Sequence, residues 1–452
     1  MMRRSSLRFY STGVALTAIA FFVFNLTGIS KGADEEGFRP LFNGRDLFGW
    51  VPVNVAPGTF TVQDGIIVST GIPTGVMRTD RHYENFILEL EWRHMKAGGN
   101  AGVFIWGDAL TSRGVPFSRG IEVQVLDGRE SDWYTSHGDV FSIHGATMIP
   151  DRPHPKGAAR CLPSEKRAKP SPEWNHYRVE CNQGVIKLAV NGKVVSGGSM
   201  CNPRKGYICL ESEGSECHFR NLKIKELPST DVPGSETATL DEGFRSLYTG
   251  VDLSGWKSDP GHDGHWTATD WILNYDGKST AKDPNLWSEK EYGDFVLMCD
   301  WRLNAKPENR KRPVILPNGD YATNPDGSQQ EIEVRDAGDS GIYLRGNSKS
   351  QVNIWCWPIG SGEVYGYRTD KKQPPEVRAG VTPKEKADKP LGQWNRFVIT
   401  IRGDRLTVVL NGQTVIENAQ LPDVPPRGPI ALQHHGDSIQ FANLFIKELP
   451  NP

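Results

Sequence analysis

The segment Ile121-Glu-Val-Gln-Val-Leu-Asp127 sets a carboxylate, Glu122, two residues before a carboxamide, Gln124. On a strand, alternate residues share a face, so Glu122 and Gln124 point together and away from Val123 and Val125. One group of such a pair can move a proton while the other fixes hydroxyls, which suits a sugar. The same alternation also describes an ordinary solvated strand face. Further on, Cys209-Leu-Glu-Ser-Glu213 puts Glu211 and Glu213 on one face. His137-Gly-Asp-Val-Phe-Ser-Ile-His144 is bounded by two imidazoles. These titrate near neutrality, so His137 or His144 serves as an acid or base, or is simply a solvated loop residue. Trp106 could stack a pyranose ring or fill a core, and Arg93 could do no more than pair locally.

Other chemistries find no support. There is no GxSxG elbow, Walker loop or HExxH, and the oxygen-rich run Asn318–Gly327 lacks EF-hand spacing. No CxxC or Cys/His zinc spacing occurs, although a Glu/His cluster would suit a divalent metal ion, so a metal cofactor stays open. The seven cysteines could form one or two disulfides or remain buried thiols.

The elements that must hold these residues are short period-two runs. Phe86-Ile-Leu-Glu-Leu-Glu-Trp and Tyr177-Arg-Val-Glu-Cys-Asn182 alternate, and Val185-Ile-Lys-Leu-Ala-Val190 meets the hairpin signal Asn191-Gly192. With 48 Gly, 31 Pro and no convincing amphipathic helix, the chain reads as all-β, built from two-sheet sandwiches. If one sheet curves over the other, its outer side becomes a concave face, and Glu122 and Gln124 lie there. A length of 452 residues allows two or three domains. The formal charge of −2 argues against a nucleic-acid partner.

An internal repeat decides the organisation. Glu36-Gly-Phe-Arg-Pro-Leu-Phe-Asn-Gly-Arg-Asp-Leu-Phe-Gly-Trp50 returns as Glu242-Gly-Phe-Arg-Ser-Leu-Tyr-Thr-Gly-Val-Asp-Leu-Ser-Gly-Trp256. Phe219-Arg-Asn-Leu-Lys-Ile-Lys-Glu-Leu-Pro228 returns as Phe441-Ala-Asn-Leu-Phe-Ile-Lys-Glu-Leu-Pro450. Two domains follow, 36–228 and 242–450, joined by a polar linker at 229–241. The second half carries an insertion, Asn304 to Asp336, that reads as a long loop. Residues 1–32 read as a signal peptide: Arg3, Arg4 and Arg8 precede the apolar run Val14 to Phe24, with Ser30 and Gly32 before the cut. Export is therefore expected. Any membrane contact is confined to this segment, should it stay uncleaved.

The ordered set Leu41-Phe-Asn-Gly-Arg-Asp-Leu-Phe-Gly-Trp50, Glu122-Val-Gln-Val-Leu-Asp127, Trp174-Asn175, Val190-Asn-Gly192 and Phe219-Arg-Asn-Leu-Lys-Ile224 resembles the 3-keto-disaccharide hydrolase family, also described as 3-keto-glucoside-1,2-lyase/hydratase. The resemblance covers both halves. It implies two tandem concanavalin A-like jelly-roll sandwiches, an exported location and an oxidised di- or oligosaccharide as substrate. On that reading Glu122 is the base and His144 the acid. Gln124, Glu211, Glu213, Trp106 and His137 would bind the sugar.

Comparing the halves suggests a division of labour. Glu122 and Gln124 fall opposite Gln351 and Asn353, and Glu211 and Glu213 opposite Gln433 and His435. Trp106 becomes Arg345 and His144 becomes Arg368. A carboxamide cannot accept a proton at neutral pH, so the first half is expected to catalyse and the second to bind or be structural. The alternative is a non-catalytic, bivalent carbohydrate-binding protein.

Overall fold

The computed structural model describes residues 37–450; the expected signal peptide lies outside the described residues. Each half is a sandwich of antiparallel sheets, as the period-two pattern requires. In the first half a nine-stranded sheet is centred on Phe86–His94, which pairs with Asn175–Asn182 on one side and Cys217–Glu226 on the other. A seven-stranded sheet covers it, in the order Arg160–Cys161, Val140–Ile143, Gly120–Leu126, Asn100–Gly107, Tyr207–Ser212, Gly75–Thr79 and Trp50–Pro52. Leu88, Leu90, Trp92, Val103, Ile105, Val123 and Val125 fill the space between the sheets. The valines of the Glu122 strand thus face inward, and Glu122 and Gln124 take the outer face.

The second half repeats this plan with an eight-stranded sheet and a four-stranded one. The smaller sheet runs Leu286–Tyr292, Gly428–Leu432, Ser340–Leu344 and Asn347–Ile354. The registers support the equivalence of the halves. Phe104 pairs with Glu122 and Gly102 with Gln124, just as Tyr343 pairs with Gln351 and Gly341 with Asn353.

Several expectations need correction. The insertion is not simply a loop: Glu308–Pro313 and Glu331–Asp336 pair as a hairpin. Two short helices, Tyr365–Arg368 and Pro375–Gly380, occur in the second half. All seven cysteines are free and buried, behaving as small apolar side chains. The stretch 229–241 is no slack tether, because Ala238 is buried and donates its N–H to Lys205 O, and the Asp241 carboxylate pairs with Arg78 at 2.5 Å.

The sandwiches meet through the loop 108–119 that follows Gly107. Its tip docks on the outer face of the eight-stranded sheet. Thr111 Oγ1 donates to Asn443 Oδ1 (2.7 Å), Gly114 N–H to Asp300 (2.8 Å), and Asn443 Nδ2 to the Ser112 and Val115 carbonyls (3.0 Å each). Behind this loop a small apolar cluster joins Val76, Phe104, Tyr207 and Cys209 of the first half to Phe445 of the second.

Candidate active site

Three carboxylates gather on the outer face of the seven-stranded sheet. Glu122 comes from one strand and Glu211 from the next but one, while Glu213 lies just past the end of the Glu211 strand. Gly102, on the strand between them, has no side chain to separate them. A methyl on Gly102 would sit 2.6 Å from Glu211 Oε2 and 3.0 Å from Glu122 Oε1, so both acids converge over this glycine. Gln124 Nε2 donates to Asn100 Oδ1 (3.0 Å) and approaches Glu122 Oε1 (3.4 Å). Asn100 in turn donates to Glu213. Arg160 closes the cluster, donating to Gln124 Oε1 (3.3 Å) and to the buried Asp139 (2.8 Å) while lying over the Phe141 ring. Arg160, Asp139 and Asn100 join this cluster, and none of them was among the sequence candidates. Asp139 and Phe141 flank the core residue Val140, an alternation that would have placed them beside Glu122.

Burial sets the protonation states. Glu122 is only 7 % exposed, and desolvation, reinforced by Glu213 and Asp139 against the opposing Arg160, pushes its carboxyl up to about 8. Glu211 is driven well above the usual carboxylate range by desolvation and then by its two acidic neighbours. Its Oε2, over Gly102, has no hydrogen-bond partner. Glu213 is also raised by desolvation, opposed by Glu211, Asn100 and Arg129. The cluster therefore holds at least one proton donor and a carboxylate that becomes a base in mildly alkaline solution, the separation acid/base chemistry requires.

The remaining sequence candidates lie elsewhere. Trp106 is fully buried and its indole N–H is spent on Glu84 O (2.8 Å), so it offers no face to a pyranose. The sequence position shows an aromatic at a strand end; a positive φ of 57° turns its ring into the core. His144 is exposed and stacks on Phe117, which packs on Phe104. It lines a cavity of about 540 Å³ between the sandwiches, with Arg113 and Arg396, rather than joining Glu122. Desolvation lowers its proton affinity. His137 bonds Glu130 (2.9 Å) at the wall of a separate cavity of about 450 Å³. Arg93 caps the ring of Trp174 at 4.5 Å on the other sheet. Among the described residues no group of three or more His, Cys, Asp or Glu is placed to hold a metal ion.

The fold is thus a pair of β-sandwiches, the first with buried acids converging on an outer sheet face. Residues 37–225 and 243–447 each match the 3-keto-alpha-glucoside-1,2-lyase-like domain, and the chain belongs to that family. A 3-keto-disaccharide hydrolase from Bacteroides thetaiotaomicron is 22 % identical over 245 residues, spanning 43 % of this chain and 80 % of the relative. A crystal structure from Parabacteroides distasonis, assigned provisionally as a glycosyl hydrolase, is 26 % identical over 43 % of this chain and 95 % of its own, with a TM-score of 0.34. A carbohydrate-binding module from Bacillus subtilis matches at 12 % identity over 39 % of this chain and 96 % of its own, with a TM-score of 0.29.

Proposed function

We propose that the chain is an exported carbohydrate-active enzyme that cleaves 3-keto-glycosides, with the Glu122 cluster as its acid/base centre. Membership of the family and the 3-keto-disaccharide hydrolase relative support the substrate class. The observation that carries the mechanism is the convergence of Glu122 and Glu211 over Gly102, with both carboxyls raised.

A ketone at C3 acidifies the C2 proton. Glu122, as carboxylate, takes that proton; the electron pair forms the C1–C2 double bond and expels the C1 oxygen. Glu211, kept protonated, supplies the leaving oxygen's proton in place of His144, which lies across Phe117. Water added to the double bond then completes a net hydrolysis. Gln124, held by Asn100 and Arg160, orients a hydroxyl. A positioned acid or base contributes ~10²–10⁴-fold.

Incubation of the purified chain with 3-keto-trehalose or a 3-keto-glucoside, following sugar release, tests the reading. Turnover that falls at least a hundredfold in Glu122→Gln is expected, by the usual worth of such a group (~10²-fold). No turnover, with affinity for unoxidised glycans instead, would favour the bivalent binding protein. Export rests on the basic and apolar pattern of residues 1–32; the mass of the secreted protein should correspond to a chain starting at Ala33.

A further inference from the structure

The equivalence of Glu122 with Gln351 and of Glu211 with Gln433 suggests a second half emptied of acid/base groups. The side chains around those amides contradict it. Asp339 stands where the first half has Asn100, at the head of Asp339-Ser-Gly-Ile against Asn100-Ala-Gly-Val. The carboxylate has moved to the neighbouring strand rather than vanished. Asp437 accepts the Asp339 backbone N–H (3.0 Å), and His435 lies 3.8 Å from the same carboxylate. Gln351 Nε2 donates to Gln433 Oε1 (2.5 Å), and the bare Gly341 leaves room for that bond, as Gly102 does for the acids.

Two features point to a ligand on this face. Trp287 and Tyr343 flank Ala431 on the outer face, ring centroids 5.7 Å apart and tilted by 36°; Tyr343 is buried and Trp287 is the more open ring. An aromatic platform beside amides and a carboxylate is a general arrangement for a pyranose. Glu363, fully buried beside Asn353, pairs with Arg368 through Oε1 and leaves Oε2 with no hydrogen-bond partner. Val364 faces the core, so Glu363 points to the opposite side, where the charge of Asp339 reaches it. Access also differs from the first half. The two-residue turn Arg345–Gly346 replaces the loop 108–119, so nothing equivalent to Phe117 folds over Tyr343, and His435 is exposed.

We propose that this face is a second pyranoside site, with Asp339 as its proton-transfer group, the Gln351 and Gln433 amides on sugar hydroxyls, and Trp287, backed by Tyr343, against the ring. Burial, with Asp437 and Asp336 adding to it against His435 and Arg312, pushes Asp339 up to about 7, within reach of both protonation states near neutrality. The substrate class rests on the reading above. Written for a 3-keto-glycoside, the Asp339 carboxylate takes the C2 proton and the C1–O bond breaks with its electron pair on the leaving oxygen. His435 passes a proton to that oxygen, and water adds across the C1–C2 double bond.

The full chain separates the outcomes. In the full chain carrying Glu122→Gln and Asp339→Asn, which should not cleave it, methyl 3-keto-α-glucoside should bind in two equivalents by titration calorimetry, falling to one when Trp287→Ala is added with the near-ultraviolet dichroism otherwise retained. Glu122→Gln should keep residual turnover, and Asp339→Asn in that background should remove it by a further ~10²-fold. One equivalent in that doubly substituted chain, or a residual rate indifferent to Asp339→Asn, would overturn the second site. Absence of any turnover in the wild type would overturn the reaction assigned above, and the count of equivalents would then decide the second site alone.

Discussion

Gly102 and Glu211 are packed so closely that a methyl on the glycine would meet Glu211 Oε2 at 2.6 Å. The glycine's φ is not in the left-handed region, so Gly102→Ala strains no backbone; only the carboxylate ends must move. The atoms displaced belong to side chains and not to the backbone, so the fold should survive. The expected result is a Tm within a few degrees of wild type and turnover reduced on the order of 10²-fold through displaced Glu122 and Glu211. Unchanged turnover would show that the two acids do not act over this glycine.

The raised Glu122 carboxyl makes a signed prediction for the pH profile. If Glu122 is the base, kcat/KM should climb through about 8, the value to which burial pushes the group. A descending limb there instead would assign Glu122 as the acid.

Stability should move the opposite way. A carboxyl raised from 4.5 binds more protons folded than unfolded between 4.5 and about 8. Its stabilising contribution is complete below the unfolded value and is lost as pH rises through the folded one. Glu122→Gln should therefore unfold nearly like wild type at pH 5 and be the more stable of the two at pH 9, by at most roughly 5 kcal/mol. Urea denaturation at both pH values measures the difference.

How far the chain could be read in advance follows from which signals are local. The alternation Glu122-Val-Gln-Val is a property of four neighbouring residues, and it placed Glu122 and Gln124 on the outer face correctly. The repeat likewise set Glu122 opposite Gln351 and Gln124 opposite Asn353, and the strand registers agree. What escaped were meetings set by tertiary packing. Trp106 looked available because a strand-end aromatic carries no mark of the backbone twist that buries it. His144 was a candidate acid for its residue type alone, and the loop carrying Phe117, which lies between it and Phe104, has no periodic pattern to show the separation. Asp339 escaped because the comparison followed Glu122 and Glu211 rather than the strand between them, where the acid had moved. Arg368, aligned with His144, in fact pairs with Glu363, the counterpart of Asp139.

Asn443 binds the two halves more than any other single polar side chain described above. It is buried, donates to Ser112 O, Val115 O and Asp300, and accepts from Thr111. Asn443→Ala leaves several of these groups unmade and also puts alanine at a φ of 48°. A loss of about 3 kcal/mol is expected. Because the loop 108–119 also carries Phe117 over the Glu122 face, turnover should fall several-fold before unfolding. Calorimetry and kinetics on the same preparation test both; a variant as stable as wild type would show that the loop is held by its apolar contacts alone.

The last prediction concerns where the first half can be cut. The repeat suggests residues 33–232 as a self-sufficient unit, but the strap that follows belongs to it physically. The Arg78 side chain is 3 % exposed and pairs with Asp241, and Ala109 N–H reaches Thr239 O. Ending the chain at 232 leaves Arg78 buried without its carboxylate, a loss of about 3 kcal/mol by the usual cost of breaking a buried pair. The fragment 33–241 should therefore be the more stable of the two by that margin in urea. It still exposes Phe104 and Val76, which Phe445 covers in the full chain, so both fragments should be less soluble than the whole. Substituting Phe104 to relieve this would disturb the row that holds Glu122, so the interface and the acid cluster are linked through one strand. Retained turnover in 33–241 would place the Glu122 chemistry within the first sandwich, and its loss from a well-folded fragment would mean that the second sandwich's sheet completes the site.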